Sequence, residues 1–245
     1  MKDQFKFIFF ILGITIVLLF SCKKQIDYEG PKGQIKGNIK LYDGVKTITN
    51  YSGILVTVEG SSPHLQTTTN AAGDWVIDNL TTGIYNLVFS KDSFATFKAL
   101  NVQFLGGNVP YYLSTSALYK LPYNVITGFS IDSIKYAWGS NVVISIAFQA
   151  SSVPNFRFYL SEDSTVSYSN YQSTFLWPSA YIPTYNIPGT ILSKFKAGEK
   201  MFAICYPCTL SQTSYTDMIT GNQIYGVNSA LASHVVRFTI PFNLN

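Results

Sequence analysis

Residues 70–87 read NAAGDWVIDNLTTGIYNL, and this stretch decides the fold class. Gly73 and Gly83 each close a polar turn, where a glycine supplies the positive φ that other residues avoid. A short apolar run follows each turn, with Trp75 in the first run and Tyr85 in the second. Runs of this length between turn signals are typical of β-strands, and the two aromatic rings are large enough to fill a core.

The same pattern continues on both sides of this stretch. Charged residues make up only 12% of the chain and aromatic residues 16%, a balance that favours strands over helices. Short strands at near-regular spacing predict a sandwich and not a parallel sheet. We therefore expect a β-sandwich domain over residues 34–118. Its further strands are expected at residues 34–42, 54–58, 65–69, 95–104 and 109–113.

The run over residues 69–87, together with the opening at residues 33–37 (GQIKG), resembles the carboxypeptidase regulatory-like (transthyretin-like) domain. Asn70 stands where that family commonly has Asp, and Thr81 stands where it commonly has Pro. The resemblance implies a seven-stranded prealbumin-like sandwich. It also implies a non-catalytic domain that serves as a spacer, a folding aid or a binding platform.

A second all-β domain is expected over residues 122–245. Alternating strands are predicted at residues 124–134, 141–149, 155–160, 199–205 and 234–241. In strand order this half resembles a fibronectin type III or other immunoglobulin-like sandwich. The predicted fold class is therefore all-β, with two sandwich domains. This plan resembles small Bacteroidetes lipoproteins that are encoded with glycan-uptake systems, although a fold does not fix a function.

The start of the chain has the layout of a secretory signal. Lys2 and Lys6 precede an apolar run over residues 7–20, which is shorter than the about 20 residues that a membrane-spanning helix needs. Residues 19–22 (LFSC) resemble the lipobox of bacterial lipoproteins, with Phe20 departing from the commonest pattern. The resemblance implies cleavage after residue 21 and a lipid on Cys22.

We accordingly expect residues 1–21 to be a lipoprotein signal peptide and residues 22–33 to be the lipidated cysteine and its tether. Two or three acyl chains hold a protein stably on a bilayer, whereas one chain does so only marginally. The predicted location is the outer membrane of the cell envelope, on either face, and the membrane is the first predicted partner.

Charge and the scarcity of catalytic side chains argue against several classes of function. The formal net charge is +4, and no basic cluster exceeds Lys23 and Lys24, so a nucleic-acid partner is not expected. The only histidines are His64 and His234, and no Gly-x-Ser-x-Gly motif is present. We predict that the protein is not an enzyme and that it needs no cofactor.

Cys205 and Cys208 form a C-x-P-C sequence (CYPC). A local disulfide is the favoured interpretation for an oxidising compartment, and two free thiols are the main alternative. Redox catalysis of the thioredoxin type is a weaker alternative, because residues 209–216 lack the apolar stripe of the helix it requires. One such pair has too few ligands for a structural zinc, so no metal is predicted.

Residues 168–185 (YSNYQSTFLWPSAYIPTY) are rich in aromatic residues and carry no charge. Three interpretations stay open: packing of the sandwich, a surface for glycans or other ligands, and a surface for a protein partner. The candidate ligand-binding residues are Tyr168, Tyr171, Trp177 and Tyr181. The expected function is a membrane-anchored, non-catalytic binding or accessory module for glycans. The alternative is a structural subunit of an outer-membrane complex.

Overall fold

A computed structural model describes residues 30–44, 46–136, 139–149, 155–177, 184–209 and 214–240. Strands account for 53% and helical residues for 4% of the structure, arranged in several sheets. The predicted all-β sandwich fold is therefore confirmed. The signal peptide, Cys22 and Tyr181 lie outside the described residues.

The described part of the first half contains seven strands. They form one sheet of order β4–β1–β7 and a second sheet of order β3–β2–β5–β6. The strands are β1 (Gly33–Tyr42), β2 (Leu55–Val58), β3 (Gln66–Thr68), β4 (Asp74–Leu80), β5 (Gly83–Ser90), β6 (Phe97–Phe104) and β7 (Tyr111–Tyr119). β1 runs antiparallel to β4 and parallel to β7.

The core of this half lies between the two sheets, because alternate residues of each strand face inward. Trp75 and Ile77 of β4 are buried there and contact the same cluster as Phe89 of β5. The turn before β4 depends on Gly73, whose φ is +88°. A β-carbon at Gly73 would lie 2.2 Å from the carbonyl oxygen of Ile39, so this close approach of two backbones requires glycine.

The described residues of the second half form two larger sheets and a small hairpin. The larger sheets have the orders β11–β10–β13–β16 and β12–β9–β8, and β14 pairs with β15. The strands are β8 (Val125–Tyr136), β9 (Gly139–Gln149), β10 (Asn155–Ser161), β11 (Ser173–Trp177), β12 (Thr184–Asn186), β13 (Lys200–Cys208), β14 (Ser214–Thr216), β15 (Gln223–Tyr225) and β16 (Val236–Thr239). A one-turn helix, α1 (Gly189–Leu192), follows β12.

The four-stranded sheet of this half has two different apolar faces. Its inner face, with Phe156 and Phe158 of β10, packs with Phe129 of β8 into the second core. Its outer face, with Tyr159 of β10 and Tyr206 of β13, forms a third apolar cluster. The outer face is therefore a buried surface in its own right, and not the solvent side of a simple sandwich.

The two halves meet where β7 ends. Within the first half, the amide of Ala95, between β5 and β6, donates to the carbonyl of Tyr119 at 2.8 Å and holds this connection beside the end of β7. Within the second half, the Asn228 side chain donates to the carbonyl of Pro122, just after that end, also at 2.8 Å. The β14–β15 hairpin reaches β6 of the first half, so chain segments from both halves border one another. Within the described residues, no helix is both long and apolar enough to span a bilayer.

Candidate functional site

The predicted aromatic residues separate into two environments. Trp177 is only 3% exposed and lies in the inner core, with its ring centroid 6.1 Å from that of Phe158. As a stacking surface for a ligand, Trp177 is therefore unavailable in this structure. Its place follows from strand alternation, since Phe175 and Trp177 of β11 share the inward face.

Tyr168 and Tyr171 lie together on the outer face. The Tyr171 ring packs edge-on against Tyr159 at 5.0 Å, and the Tyr168 ring packs edge-on against Tyr206 at 5.9 Å. Tyr159 and Tyr206 are themselves in edge contact at 5.6 Å. Edge-to-face contacts of this kind add to the energy of simple burial, so the four rings, here called the outer aromatic cluster, hold one another in place.

The loop of residues 162–172 carries Tyr168 and Tyr171, and its own polar side chains fold it. The Asp163 carboxylate accepts from the amide of Thr165 at 2.9 Å, which is an Asx-turn. The side-chain oxygen of Gln172 accepts from the amide of Glu162 at 2.7 Å and closes the base of the loop. The loop is therefore a defined support for its tyrosines.

The β14–β15 hairpin is bound to this loop. Asn222 donates to the carbonyls of Ser169 and Tyr171, each at 3.2 Å. The Tyr171 hydroxyl donates to the carbonyl of Gln223 at 2.8 Å, while burial raises the pKa of Tyr171. These bonds place the hairpin beside the outer aromatic cluster.

The hairpin also covers a cation on the sheet. The guanidinium carbon of Arg157 on β10 lies 3.5 Å from the centroid of the Tyr225 ring. A cation at this distance from a ring face is attracted by the ring quadrupole. Tyr225 is thereby fixed in orientation at the border of the space described next.

A cleft of about 190 Å³ lies between the two halves. Here it is called the tyrosine cleft, and its walls include Thr96, Tyr168, Tyr215, Tyr225, Gly226 and Ser229. No lining residue carries a formal charge. The rest of the lining is apolar and consists of Phe94, Ala95, Leu121, Ile224 and Val227. A concave, largely apolar lining with a few polar groups is the general composition of small-molecule sites.

The charged side chains nearest to Tyr215 of the tyrosine cleft include an ion pair of opposite charges. Lys98 forms an ion pair with Glu59 and lies 5.4 Å from the centroid of the Tyr215 ring. The hydrogen bond to Glu59 raises the pKa of Lys98, and the same bond lowers the pKa of Glu59. Burial raises the pKa of Tyr215, so its hydroxyl stays neutral at physiological pH.

Sequence analysis missed Tyr215 and Tyr225 as candidate residues. Their strands, β14 and β15, are only three residues each, too short for alternation to show. The signal that could have found them is the turn between, because Asp217 and Gly221 are turn formers four residues apart. The contact between the hairpin and the first half results from tertiary packing, and local sequence patterns do not predict it.

The predicted disulfide is not formed. Cys205 and Cys208 are both free and buried in β13, and residues three apart on a strand point to opposite faces. Cys205 faces the inner core and Cys208 faces the outer aromatic cluster. Burial raises the pKa of Cys208 to about 12 and that of Cys205 well above its usual value. Neither thiol is activated as a nucleophile.

The remaining polar candidates do not converge on a site. His64 is exposed in the loop between β2 and β3, and His234 is exposed just before β16 in the other half. In the part of the chain that the structure describes, no three His, Cys, Asp or Glu side chains gather as a metal site.

No family model matches the chain, and no curated protein matches it. A comparison with solved structures finds distant likenesses. A Bacteroides uniformis protein whose proposed role is carbohydrate binding is 12% identical, and the match covers 86% of this chain and 100% of that one with a TM-score of 0.33. A DUF3823 family protein from Parabacteroides merdae is also 12% identical with the same coverage and a TM-score of 0.28.

A type II cohesin–X-dockerin complex from Acetivibrio cellulolyticus contains a chain that is 22% identical over 36% of the present one, with a TM-score of 0.31. The match spans 58% of that chain's length. All three likenesses have TM-scores below 0.5, and none assigns a family or a ligand to the present protein.

Proposed function

We propose that the protein is a non-catalytic binding module, anchored in the cell envelope by a lipid on Cys22, and that its tyrosine cleft binds glycans. The observation that carries the ligand class is the composition of the cleft. Three tyrosines, Tyr168, Tyr215 and Tyr225, border it together with two aliphatic hydroxyls, several apolar side chains and no formal charge.

The chemistry of this lining suits a neutral, hydroxyl-rich molecule. A sugar ring offers an apolar C–H face that can stack on an aromatic ring, and tyrosine adds a polar hydroxyl at its rim. Thr96 and Ser229 can donate to or accept from sugar hydroxyls. A charged ligand would lose hydration there without gaining an opposite charge.

The cleft is also prepared for binding before a ligand arrives. Tyr168 is fixed by its contact with Tyr206, and Tyr225 by its contact with Arg157. Side chains that are already ordered lose little conformational entropy on binding, which favours affinity. The arrangement therefore supports recognition of a ligand without any large movement of the sheet.

Binding is tested with Tyr215→Ala and Tyr168→Ala on a glycan array, followed by calorimetry on any glycan that binds. We expect each change to weaken binding about tenfold or more, since hot-spot aromatics contribute at least about 2 kcal/mol. Tyr112→Ala is the matched control, because Tyr112 is an exposed tyrosine of β7 outside the cleft lining. Unchanged binding by folded Tyr215→Ala would reject the cleft as the site.

The anchor is tested separately with Cys22→Ala. We expect the wild-type chain to fractionate with membranes and the variant to become soluble. A variant that still sediments with membranes shows that something other than the Cys22 lipid holds the protein there.

A protein partner is the second candidate, and one observation favours it. Met218 and Ile219, at the tip of the β14–β15 hairpin, are both highly exposed apolar side chains. Exposed apolar residues at a hairpin tip are suited to a pocket on another protein. If the chain is a subunit of an outer-membrane complex, Ile219→Asp should abolish co-purification with the partner in detergent and leave glycan binding intact.

A further inference from the structure

One end of the first sandwich gathers three segments that are distant in sequence. β4 ends and β5 begins there around Thr82, β6 leads there into the loop of residues 105–110, and β1 begins there after Pro31. The Thr82 hydroxyl lies 2.9 Å from the carbonyl oxygen of Leu105 and 3.3 Å from that of Pro31. The opposite end of the sandwich leads into the second half.

This end exposes large apolar side chains. Val109 is 81% exposed, Tyr112 71%, Leu105 70% and Ile84 68%. These four residues are here called the apolar tip. The loop of residues 105–110 (LGGNVP) carries no charge. Ile84 projects outward from the sheet that contains β5, and Tyr112 projects outward from the sheet that contains β7. Apolar side chains are therefore exposed on both sides of this end, an arrangement suited to contact with a partner or a membrane.

The apolar tip lies where the chain arrives from its N-terminus. The amide of Gly107 donates to the carbonyl of Lys32 at 3.3 Å, so the loop and the first described residues are in contact. Residues 23–29 separate Cys22 from Gly30. A segment of that length spans at most about 28 Å, even when fully extended. A lipid on Cys22 would therefore keep this end of the sandwich within about 28 Å of the bilayer surface.

We infer that the apolar tip rests in the interfacial region of the lipid bilayer and that the tyrosine cleft is thereby held on the side away from the membrane. This inference rests on the proposed lipid anchor. Moving leucine, isoleucine and valine side chains out of water is favourable, and tyrosine is favoured at the headgroup level. Lys36 Nζ lies 4.7 Å from the centroid of the Tyr112 ring, and the Lys32 carbonyl accepts from the Gly107 amide, so both lysines are near enough to the tip to add attraction to anionic headgroups.

The anchor and the apolar tip reinforce each other. A short tether keeps the tip at a high local concentration near the lipid, so even a weak interfacial contact is populated. The contact in turn limits the orientations of the first sandwich. This arrangement makes the first half a spacer with a defined direction.

The test uses the full lipidated chain on vesicles of phosphatidylethanolamine and phosphatidylglycerol with a small share of doxyl-labelled lipid. Val109→Cys carries an environment-sensitive fluorophore at the apolar tip. Ile219→Cys, 95% exposed on the β14–β15 hairpin, carries it as the matched control. The native Cys205 and Cys208 are buried and do not compete for the label.

We expect the label at position 109 to shift to shorter wavelength and to be quenched by the doxyl lipid, while the label at position 219 shows neither effect. Adding Leu105→Asp to the Val109→Cys chain should return its quenching to the level of the control, and adding Ile219→Asp should not.

Two outcomes would overturn the inference, and they differ in what they say about the anchor. If the chain is membrane-bound with a lipidated Cys22 and the label at 109 stays as unquenched as that at 219, the apolar tip does not touch lipid and the anchor stands. If intact mass shows an unmodified Cys22 on a soluble chain, the anchor fails and the tip proposal fails with it.

Discussion

Gly226 of the second half approaches Ala95 of the first half so closely that a β-carbon at position 226 would lie 2.8 Å from the Ala95 β-carbon. Both residues line the tyrosine cleft. The cleft is therefore a space between two surfaces in contact, and its width depends on a residue without a side chain.

Gly226→Val should force these surfaces apart. An overpacked contact costs typically about 1–3 kcal/mol, and we expect a loss of that size in the free energy of unfolding measured by urea denaturation. Glycan binding should weaken as well, since Tyr215 and Tyr225 belong to the surface that moves. Gly189→Ala is the control, because a β-carbon there would have nothing within 4 Å. Equal stability of the two variants would contradict the close contact.

Most strands of the first half could be predicted because their signals are local, although Gly83 begins β5 without the positive φ expected for it. Gly73 marks a turn because its positive φ favours glycine. Trp75 marks the following strand as one that faces the core, and it is indeed buried. Such signals need no knowledge of the rest of the chain.

The second half was harder to predict, for two physical reasons. Pro207 usually argues against the interior of a strand because it cannot donate to the ladder, yet here it pairs with Phe156 inside β13. The strand therefore continues to Cys208 and turns the two thiols away from each other. In addition, aromatic content alone could not separate Trp177 in the inner core from Tyr168 at the cleft, because burial is decided by which sheet face is covered.

Trp177→Ala should act on stability and not directly on ligand recognition. Removing a buried tryptophan leaves a cavity and costs about 3–5 kcal/mol, to be measured as a shift of the urea midpoint. Tyr168→Ala should cost less, since Tyr168 is only partly buried. If Trp177→Ala kept wild-type stability and lost glycan binding alone, the core position of Trp177 would be wrong.

The stacking of Arg157 under Tyr225 should be measurable as a coupling energy. In a double-mutant cycle of Arg157→Met and Tyr225→Leu, we expect the two changes to be non-additive by about 0.5–2 kcal/mol in unfolding free energy. Arg157→Met keeps much of the side-chain length and removes the charge, so packing changes least. A cycle of Arg237→Met with Tyr225→Leu is the control, because Arg237 lies on β16 and should show additivity.

The two buried thiols should make stability fall at alkaline pH. Burial raises the folded-state pKa of Cys205 and raises that of Cys208 to about 12. An unfolded thiol has a pKa of about 8.5. Below that unfolded value both states are protonated, and the contribution is fully present. As the pH rises above it, the unfolded chain loses protons that the folded chain keeps, so stability declines by up to about 1.4 kcal/mol per pH unit per thiol.

The measurement is the free energy of unfolding between pH 7 and pH 9.5 for the wild type and for the Cys205→Ala/Cys208→Ala variant. The variant starts less stable, because it lacks two buried sulfur atoms, but its decline with pH should be shallower. Alkylation at pH 8 gives an independent check: both thiols should resist the reagent in the folded chain and react once urea unfolds it. Parallel pH profiles, or rapid labelling of the folded protein, would mean that the thiols are accessible and that β13 does not bury them.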